Sequence, residues 1–369
     1  MNNSVLLEPR WASAPGETIL QALRERGNSV DDLAEWLQLS DPQTRRLLSG
    51  DTRIDGRTAS ALALHIGGSE AFWTGRETRY QEHLSWVSAD ALAERLPVAE
   101  LVKRGWLQKT TNWRERAKAC LDFFGVTTEA EWNQLYGSPL ANANFRRSAR
   151  LQVSDTAVAA WLRRAEIESD GAVVAAWSAP AFRRALDGIR SLTRVNDPEQ
   201  FVPALQALCR AAGVAVVVLA TPRDCPVSGA ALFTRQDIPM IVLSARYLSD
   251  DHFWFTFFHE AGHLLMHDVE SSPFLDELGP DAADRSNAEV EADEFARAVL
   301  LDPKVGHIEM RRSSGPTMRE IVVFASRQGI SPGIVVGQLQ HDGVFGFERR
   351  NDLKRKYRWD GATLKSARP

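Results

Sequence analysis

The sequence predicts a mainly α, multidomain protein: an all-α head, a helical middle, and a C-terminal α+β domain with a small sheet. Three observations carry this reading. The chain has 369 residues, more than one ordinary domain accommodates. Helix start and stop signals run with short breaks from residue 16 to residue 192. After Asn196 the character changes, and β-branched and apolar runs of strand length appear. Apolar residues make up 44% and charged residues 25%, which are globular values. The formal net charge of -4 argues against a general nucleic-acid coat while leaving room for a local basic patch.

Taken in order, residues 1–10 read as a loose arm. Ser29-Val30-Asp31-Asp32 opens a helix whose apolar face is Leu33, Ala34, Trp36 and Leu37. Asp41-Pro42 opens the next, with Asp suited to an N-cap and Pro to the first helical position. In that helix Leu47 and Leu48 face inward, and Gly50 ends it. Residues 57–66 form a further helix, and helices continue from 86 to 190, as at 155–168 and 180–192. An amphipathic helix at 197–212 follows, then a buried strand at 214–219. Two short apolar runs, 230–234 and 240–244, read as a hairpin around Arg235-Gln236-Asp237. Residues 250–267 are apolar nearly all round (Phe253, Trp254, Phe255, Phe257, Phe258, Leu264, Leu265), hence a buried central helix. The division implied is 1–83, 84–193, 194–345 and a tail at 346–369. From Glu348 onward the tail holds eight Lys or Arg against three acids and reads as basic and solvated.

Cys120, Cys209 and Cys225 are odd in number and widely spaced, with no CxxC. That excludes a disulfide framework and a cysteine zinc site. Met1 onward shows no basic stretch followed by an apolar one, so a cytoplasmic protein is expected. The longest apolar-plus-glycine run of the C-terminal half, 211–220, is too short to span a bilayer, so no membrane is expected.

Six of the eight histidines lie after residue 250. Within the buried helix sits His259-Glu260-Ala261-Gly262-His263, an HExxH motif. Helical residues four apart lie about 40° apart round the axis and about 6 Å along it, so both imidazoles reach one ion. Glu260, beside the first ligand, is placed to act as general base on an activated water, and zinc lowers the pKa of such a water to roughly 7. Charged groups in so apolar a helix need a partner or a metal. A catalytic zinc takes a third protein ligand. A second helix at 287–300 carries Glu289-Val290-Glu291-Ala292-Asp293-Glu294. Glu289 and Asp293 share a face, so Glu289 is the favoured ligand and Asp293 a hydrogen-bond acceptor for a ligating histidine. Glu291, the rival, points about 200° away. It reads, with Glu294, as a solvated face. His267 lies about 12 Å along the axis from His259, which suits hydrogen bonding rather than ligation. His252 and His307 have no motif support. His341 is a candidate for lining the cleft, though a lone histidine is more often structural.

HEAGHLLMH followed by ExEADxFA, the SGAALF and IPMIVLS hairpin, and the GISPGIVVGQLQHDG segment resemble the ImmA/IrrE family of metallopeptidases over roughly 195–345. The resemblance implies a zincin-like, gluzincin-like fold with zinc on His259, His263 and Glu289. It also implies a zinc metalloendopeptidase that cleaves a repressor- or antitoxin-like protein by attack of zinc-activated water with Glu260 as base. Asp293 stands where the family usually has Asn, and Leu301-Asp302-Pro303 where it has LMP. An edge strand beside the cleft could dock substrate backbone, and 230–234 is the candidate.

The segments LAEWLQLS and RLLSG, Pro15-Gly16-Glu17, Ala71-Phe72-Trp73 and the basic-aromatic run 76–80 resemble an Xre-family, HigA-like helix-turn-helix. The resemblance implies DNA contacts from Gln43, Thr44, Arg45 and Arg46 in the major groove. Two features oppose it. Gln38 stands at the turn where glycine is usual, and the recognition helix opens with Asp41-Pro42, where a phosphate would repel the acid; in agreement, residues 1–83 hold nine Arg, no Lys and twelve acids, a net charge of -3. The bland reading is a dimerisation or docking module, with a homodimer as its consequence. Two functions therefore compete: a zinc peptidase that acts as a regulator, or a DNA-binding regulator or antitoxin whose peptidase-like domain is a sensor.

Overall fold

The computed structural model describes residues 10–137, 140, 155–170, 175–269, 274–276, 286–301 and 315–367. The expected arm before Arg10, His307 and the pair Asp302-Pro303 lie outside the described residues. Two compact units emerge, one from residues 1–95 and 107–131, the other from 96–106 and 132–369. This division differs from the expected one. The boundary placed at 83 falls inside one continuous helix, because no Gly or Pro interrupts residues 76–95. The expected helical middle belongs partly to each unit.

The first unit holds α1 (Pro15–Arg26), α2 (Val30–Leu37), α3 (Asp41–Ser49), α4 (Gly56–Ile66), α5 (Glu70–Arg95) and α7 (Trp113–Phe124). The intervening α6 (Val98–Lys103) belongs to the second. Ile19, Leu23, Leu33, Leu47, Leu62 and Trp73 close one core, and the Trp73 indole donates to the Gly67 carbonyl at 2.9 Å. A reciprocal box between Ser29 and Asp32 starts α2. Between α2 and α3, Gln38 takes the left-handed conformation (φ 55°), which costs about 1–2 kcal/mol relative to glycine. Ser40, not Asp41, caps α3, its N–H donating to Gln43 Oε1 at 2.8 Å. This corrects one expected groove contact. Thr44 is buried, its hydroxyl donating to the Ser40 carbonyl at 3.1 Å, and so faces the core. Gln43, Arg45 and Arg46 are exposed, and Arg45 lies 3.9 Å from Asp41.

The second unit is organised round one helix. Its elements include α8 (Asp155–Ser169), α9 (Ala179–Leu192), α10 (Pro198–Ala211), α11 (Asp250–Met266), α12 (Asn287–Leu300), α13 (Met318–Gln328) and α14 (Pro332–His341). A four-stranded sheet has the order β1-β3-β2-β4, with β1 (Ala215–Val218) parallel to β3 (Pro239–Leu243) and β2 (Gly229–Phe233) antiparallel to both β3 and β4 (Phe274–Asp276). The expected hairpin is therefore β2–β3, with Ala231 opposite Ile241. The expected edge role of 230–234 is corrected: β2 is interior, and β4 occupies its outer side. At the far edge, β1, side-chain donors meet one carbonyl of the strand and one just beyond it. Gln206 reaches the Val216 carbonyl at 3.0 Å, and the Trp161 indole reaches Leu219 at 2.9 Å. Such pairing protects an edge from strand addition.

Phe253, Trp254, Phe257 and Phe258 of α11 are buried against Phe182 and Ile189 of α9, Phe201 of α10 and the sheet. Each such aromatic contributes about 3–5 kcal/mol against truncation to alanine. The C-terminal segment joins this core, which corrects the expected solvated tail. Residues after 345 run back to a hairpin of β5 (Tyr357–Asp360) and β6 (Thr363–Ser366), with Tyr357 and Leu364 buried. Only after folding do its cations find partners. Lys354 Nζ lies 2.6 Å from Asp251 in the first turn of α11, both side chains 7% exposed, and donates to Gln340 Oε1 at 2.7 Å. The Arg355 N–H donates to Asp250 Oδ1 at 3.0 Å, and its guanidinium donates to the Thr193 carbonyl at 2.7 Å. Burial pushes the Asp250 carboxyl up to about 6 although Ser331 and Arg355 donate to it. Gly333 and Gly337 of α14 make room for these aspartates: a Cβ at either would fall within 3.0 Å of a carboxylate oxygen.

The strap is thus anchored by a buried ion pair, and removing one partner leaves the other charge stranded. Lys354→Ala lowers the unfolding free energy by about 3–5 kcal/mol, read by chemical denaturation. A loss below about 1 kcal/mol would show that the strap is held by its apolar residues alone.

Candidate metal centre

Helix α11 places the two histidines of HExxH one turn apart on one face, and their Nε2 atoms lie 3.0 Å from each other. Helix α12 crosses α11 and brings Glu289 to them. Its Oε2 is 3.3 Å from His259 Nε2, and its Oε1 is 3.8 Å from His263 Nε2. All three residues are buried, and one ligand atom from each lies within 4.8 Å of the others. Bonds of about 2.0–2.2 Å in a tetrahedral site set neighbouring ligand atoms about 3.3–3.6 Å apart. The observed spacings of 3.0, 3.3 and 3.8 Å bracket that range and are compatible with a metal ion such as zinc. Three lone-pair-bearing atoms converging in an apolar interior repel one another unless a cation lies between them.

The close crossing has a local cause. Gly262, between the histidines, carries no side chain. A Cβ there would stand 3.1 Å from Phe295 Cδ1 and 3.3 Å from the Ala292 Cα of α12. Small residues at this crossing let the Glu289 carboxylate reach the imidazoles.

A second set of contacts orients the ligands. His259 Nδ1 lies 2.9 Å from Asp293 Oδ1, so the carboxylate accepts the Nδ1 proton and leaves the Nε2 lone pair available to a metal ion. Arg297 lies 3.8 Å from the other Asp293 oxygen. His263 Nδ1 lies 2.9 Å from His267 Nδ1, whose Nε2 is 3.1 Å from Glu291 Oε2. With Glu291 accepting from His267 Nε2, His267 Nδ1 accepts from His263 Nδ1, which leaves His263 Nε2 available to a metal ion. His267 therefore orients a ligand, the hydrogen-bonding role its helical position indicated. Glu291, 60% exposed, is not in the ligand set but completes this chain.

Glu260 is fully buried beside the first ligand. The sheet approaches it at Gly229, where a Cβ would fall 2.5 Å from Glu260 Oε1 and 2.5 Å from Thr256 Cγ2. Gly229 thus admits the carboxylate under β2. His341 lines a cavity beside the site, its Nε2 3.0 Å from Arg297 Nη2. His252 stacks on Tyr247 at 4.3 Å and contributes no ligand. Sequence reasoning missed Gly229, Gly262, Arg297 and the Glu291 contact. A glycine inside an HExxH helix was the one available signal.

Residues 214–336 match the family described as the IrrE N-terminal-like domain of M78 peptidases, a third of the chain. The match runs from β1 to α14 and includes both ligand-bearing helices, which supports a metallopeptidase-type domain. No curated protein matches the chain. Cys120, Cys209 and Cys225 are buried, and none of them forms a disulfide. Among the described residues no helix is long and apolar enough to cross a membrane.

A metal held only by the folded chain stabilises it, so chelation lowers the melting temperature and re-addition of the ion restores it. Asp293→Ala weakens metal affinity by about 10–100-fold while the ligands remain, measured by competition with a chromogenic chelator. An unchanged affinity would remove Asp293 from the orienting set.

Proposed function

We propose that the second unit is a zinc-dependent, site-specific endopeptidase and that the protein is a regulator which cleaves a repressor- or antitoxin-like protein. The observation that carries the reading is the convergence of His259, His263 and Glu289 with Glu260 buried next to them. Bound zinc supplies Lewis acidity, which polarises a peptide carbonyl and makes water acidic enough to be deprotonated near neutral pH. The rest falls to the chain's residues. Glu260 takes a proton from the attacking water as its oxygen bonds to the carbonyl carbon. The same carboxyl then delivers that proton to the amide nitrogen as the C–N bond breaks. Asp293 and the His267–Glu291 pair hold both imidazoles in place through the cycle. The substrate backbone adds to the outer strand β4 rather than to β2, since β4 is the outermost strand on that side among the described residues.

The first unit serves in this reading to bring the partner to the peptidase. Its α2–α3 pair supports the helix-turn-helix likeness, and the exposed Gln43, Arg45 and Arg46 keep DNA contact as the alternative, with the peptidase-like domain as sensor. The acidic balance of residues 1–83 disfavours that alternative.

Glu260→Gln retains metal and fold while cleavage of the partner falls by at least about 10²-fold, the range of general-base loss. The check compares the proteomes of cells carrying the wild type and the variant, alongside metal analysis of both proteins. A partner cut equally in both sinks the catalytic assignment.

A further inference from the structure

Along the same face of α11, one turn before His259, a cavity of about 130 Å³ opens between α11, the end of α12 and α14. Phe255, Leu300, Leu301, Ile334 and Phe347 supply its apolar walls, and six polar side chains, among them Gln338, His341 and the Asp251–Lys354 pair, line the rest. Two contacts join it to the metal centre. The Phe255 ring lies 6.3 Å from the His259 ring. From the other wall, His341 leads through Arg297 at 3.0 Å to Asp293, which holds His259.

We propose that this cavity is the specificity pocket of the peptidase and receives an apolar side chain, of leucine or phenylalanine size, from a substrate residue adjoining the scissile bond. The proposal rests on the peptidase reading above and names the substrate class for that site. Size argues for it: a dry apolar cavity of about 150 Å³ accommodates a benzene ring. Position argues for it too. A substrate carbonyl at the metal puts neighbouring side chains one residue away, about 3–7 Å along an extended chain. The turn from His259 to Phe255 spans about 6 Å of helix axis. The lining argues against a charged occupant. Lys354 and Asp251, which both line the cavity, already pair with each other at 2.6 Å, so neither is available to an entering charge.

The test uses the full-length, zinc-loaded chain and two probes that need no turnover, acetohydroxamate and 3-phenylpropanohydroxamate, titrated by calorimetry. The phenyl compound binds about 30–100-fold tighter, the expected return for burying such a group. Gln338→Phe, which fills the cavity from a half-buried position, reduces that gain to about threefold or less. In a second arm, a proteome-derived peptide mixture is digested and the cut sites are read by mass spectrometry. The wild type cuts beside Leu, Phe or Met. Phe255→Ala widens the preference toward Trp, and Gln338→Phe shifts it toward Ala. Equal affinity of the two hydroxamates, or a gain and a cut-site profile unchanged in both variants, overturns the pocket. Toluene binding that is additive with 3-phenylpropanohydroxamate would assign the cavity to a separate small molecule and overturn it as well. A phenyl gain lost in Gln338→Phe without any peptide cleavage keeps the pocket and defeats the peptidase reading. Cleavage with no gain and no side-chain preference does the reverse.

Discussion

Two imidazole nitrogens and a carboxylate oxygen held within 4.8 Å of one another, on buried residues, are the constraint round which the second unit is arranged. Left to themselves, such groups would turn apart and seek solvent. They stay because α11 cannot rotate. Four aromatics on its other faces are locked into the core, and the glycine between the histidines lets α12 approach closely enough for Glu289 to reach them. The apolar character of the helix is therefore not a background to the motif. It fixes the direction in which the imidazoles point, and it keeps the effective dielectric low, which strengthens every electrostatic contact at the site.

The same helix is held at its start by a polar clamp. Asp250 and Asp251 in its first turn meet Ser331, Lys354 and Arg355 from segments distant in sequence. Net positive charge at the C-terminus thus serves partly to neutralise buried carboxylates at the N-terminus of the helix that carries His259 and His263. The macrodipole favours acidic residues there in any case, but the dipole alone would leave them solvated. Burial makes the cationic strap necessary, since an unpaired carboxylate in that position would be expensive.

The first unit shows a different economy. Side-chain boxes start α2 and α3, glycines end α1, α3 and α4, and one turn is made by Gln38 in a left-handed conformation. Its core is apolar and continuous, and α5 extends as a single helix well past the point where composition placed a boundary. Periodicity marks where helices start and stop, but it says nothing about which of them share a core. That is why the division of the helical middle escaped the sequence while its individual helices did not.

Local rules made the elements legible. The buried helix at 250–266, the helix at 287–300 and the β2–β3 hairpin follow from apolar period, caps and turn residues, which act over a few neighbours. The histidine pair followed from the 3.6-residue turn, and the preference for Glu289 over Glu291 from the angle between them, both properties of a single helix. What tertiary structure alone decided lies between elements. It set β2 inside the sheet rather than at its edge, buried Thr44, drew Glu291 to His267, and pinned the basic tail into the core. Each of these depends on which surfaces meet after the chain has travelled tens of residues, and a hydrophobic pattern carries no address for its partner. The candidate ligand cluster of His259, His263 and Glu289 was readable because two of the three sit on one turn of helix. The strap and the cavity were not, because their residues become neighbours only in the folded chain.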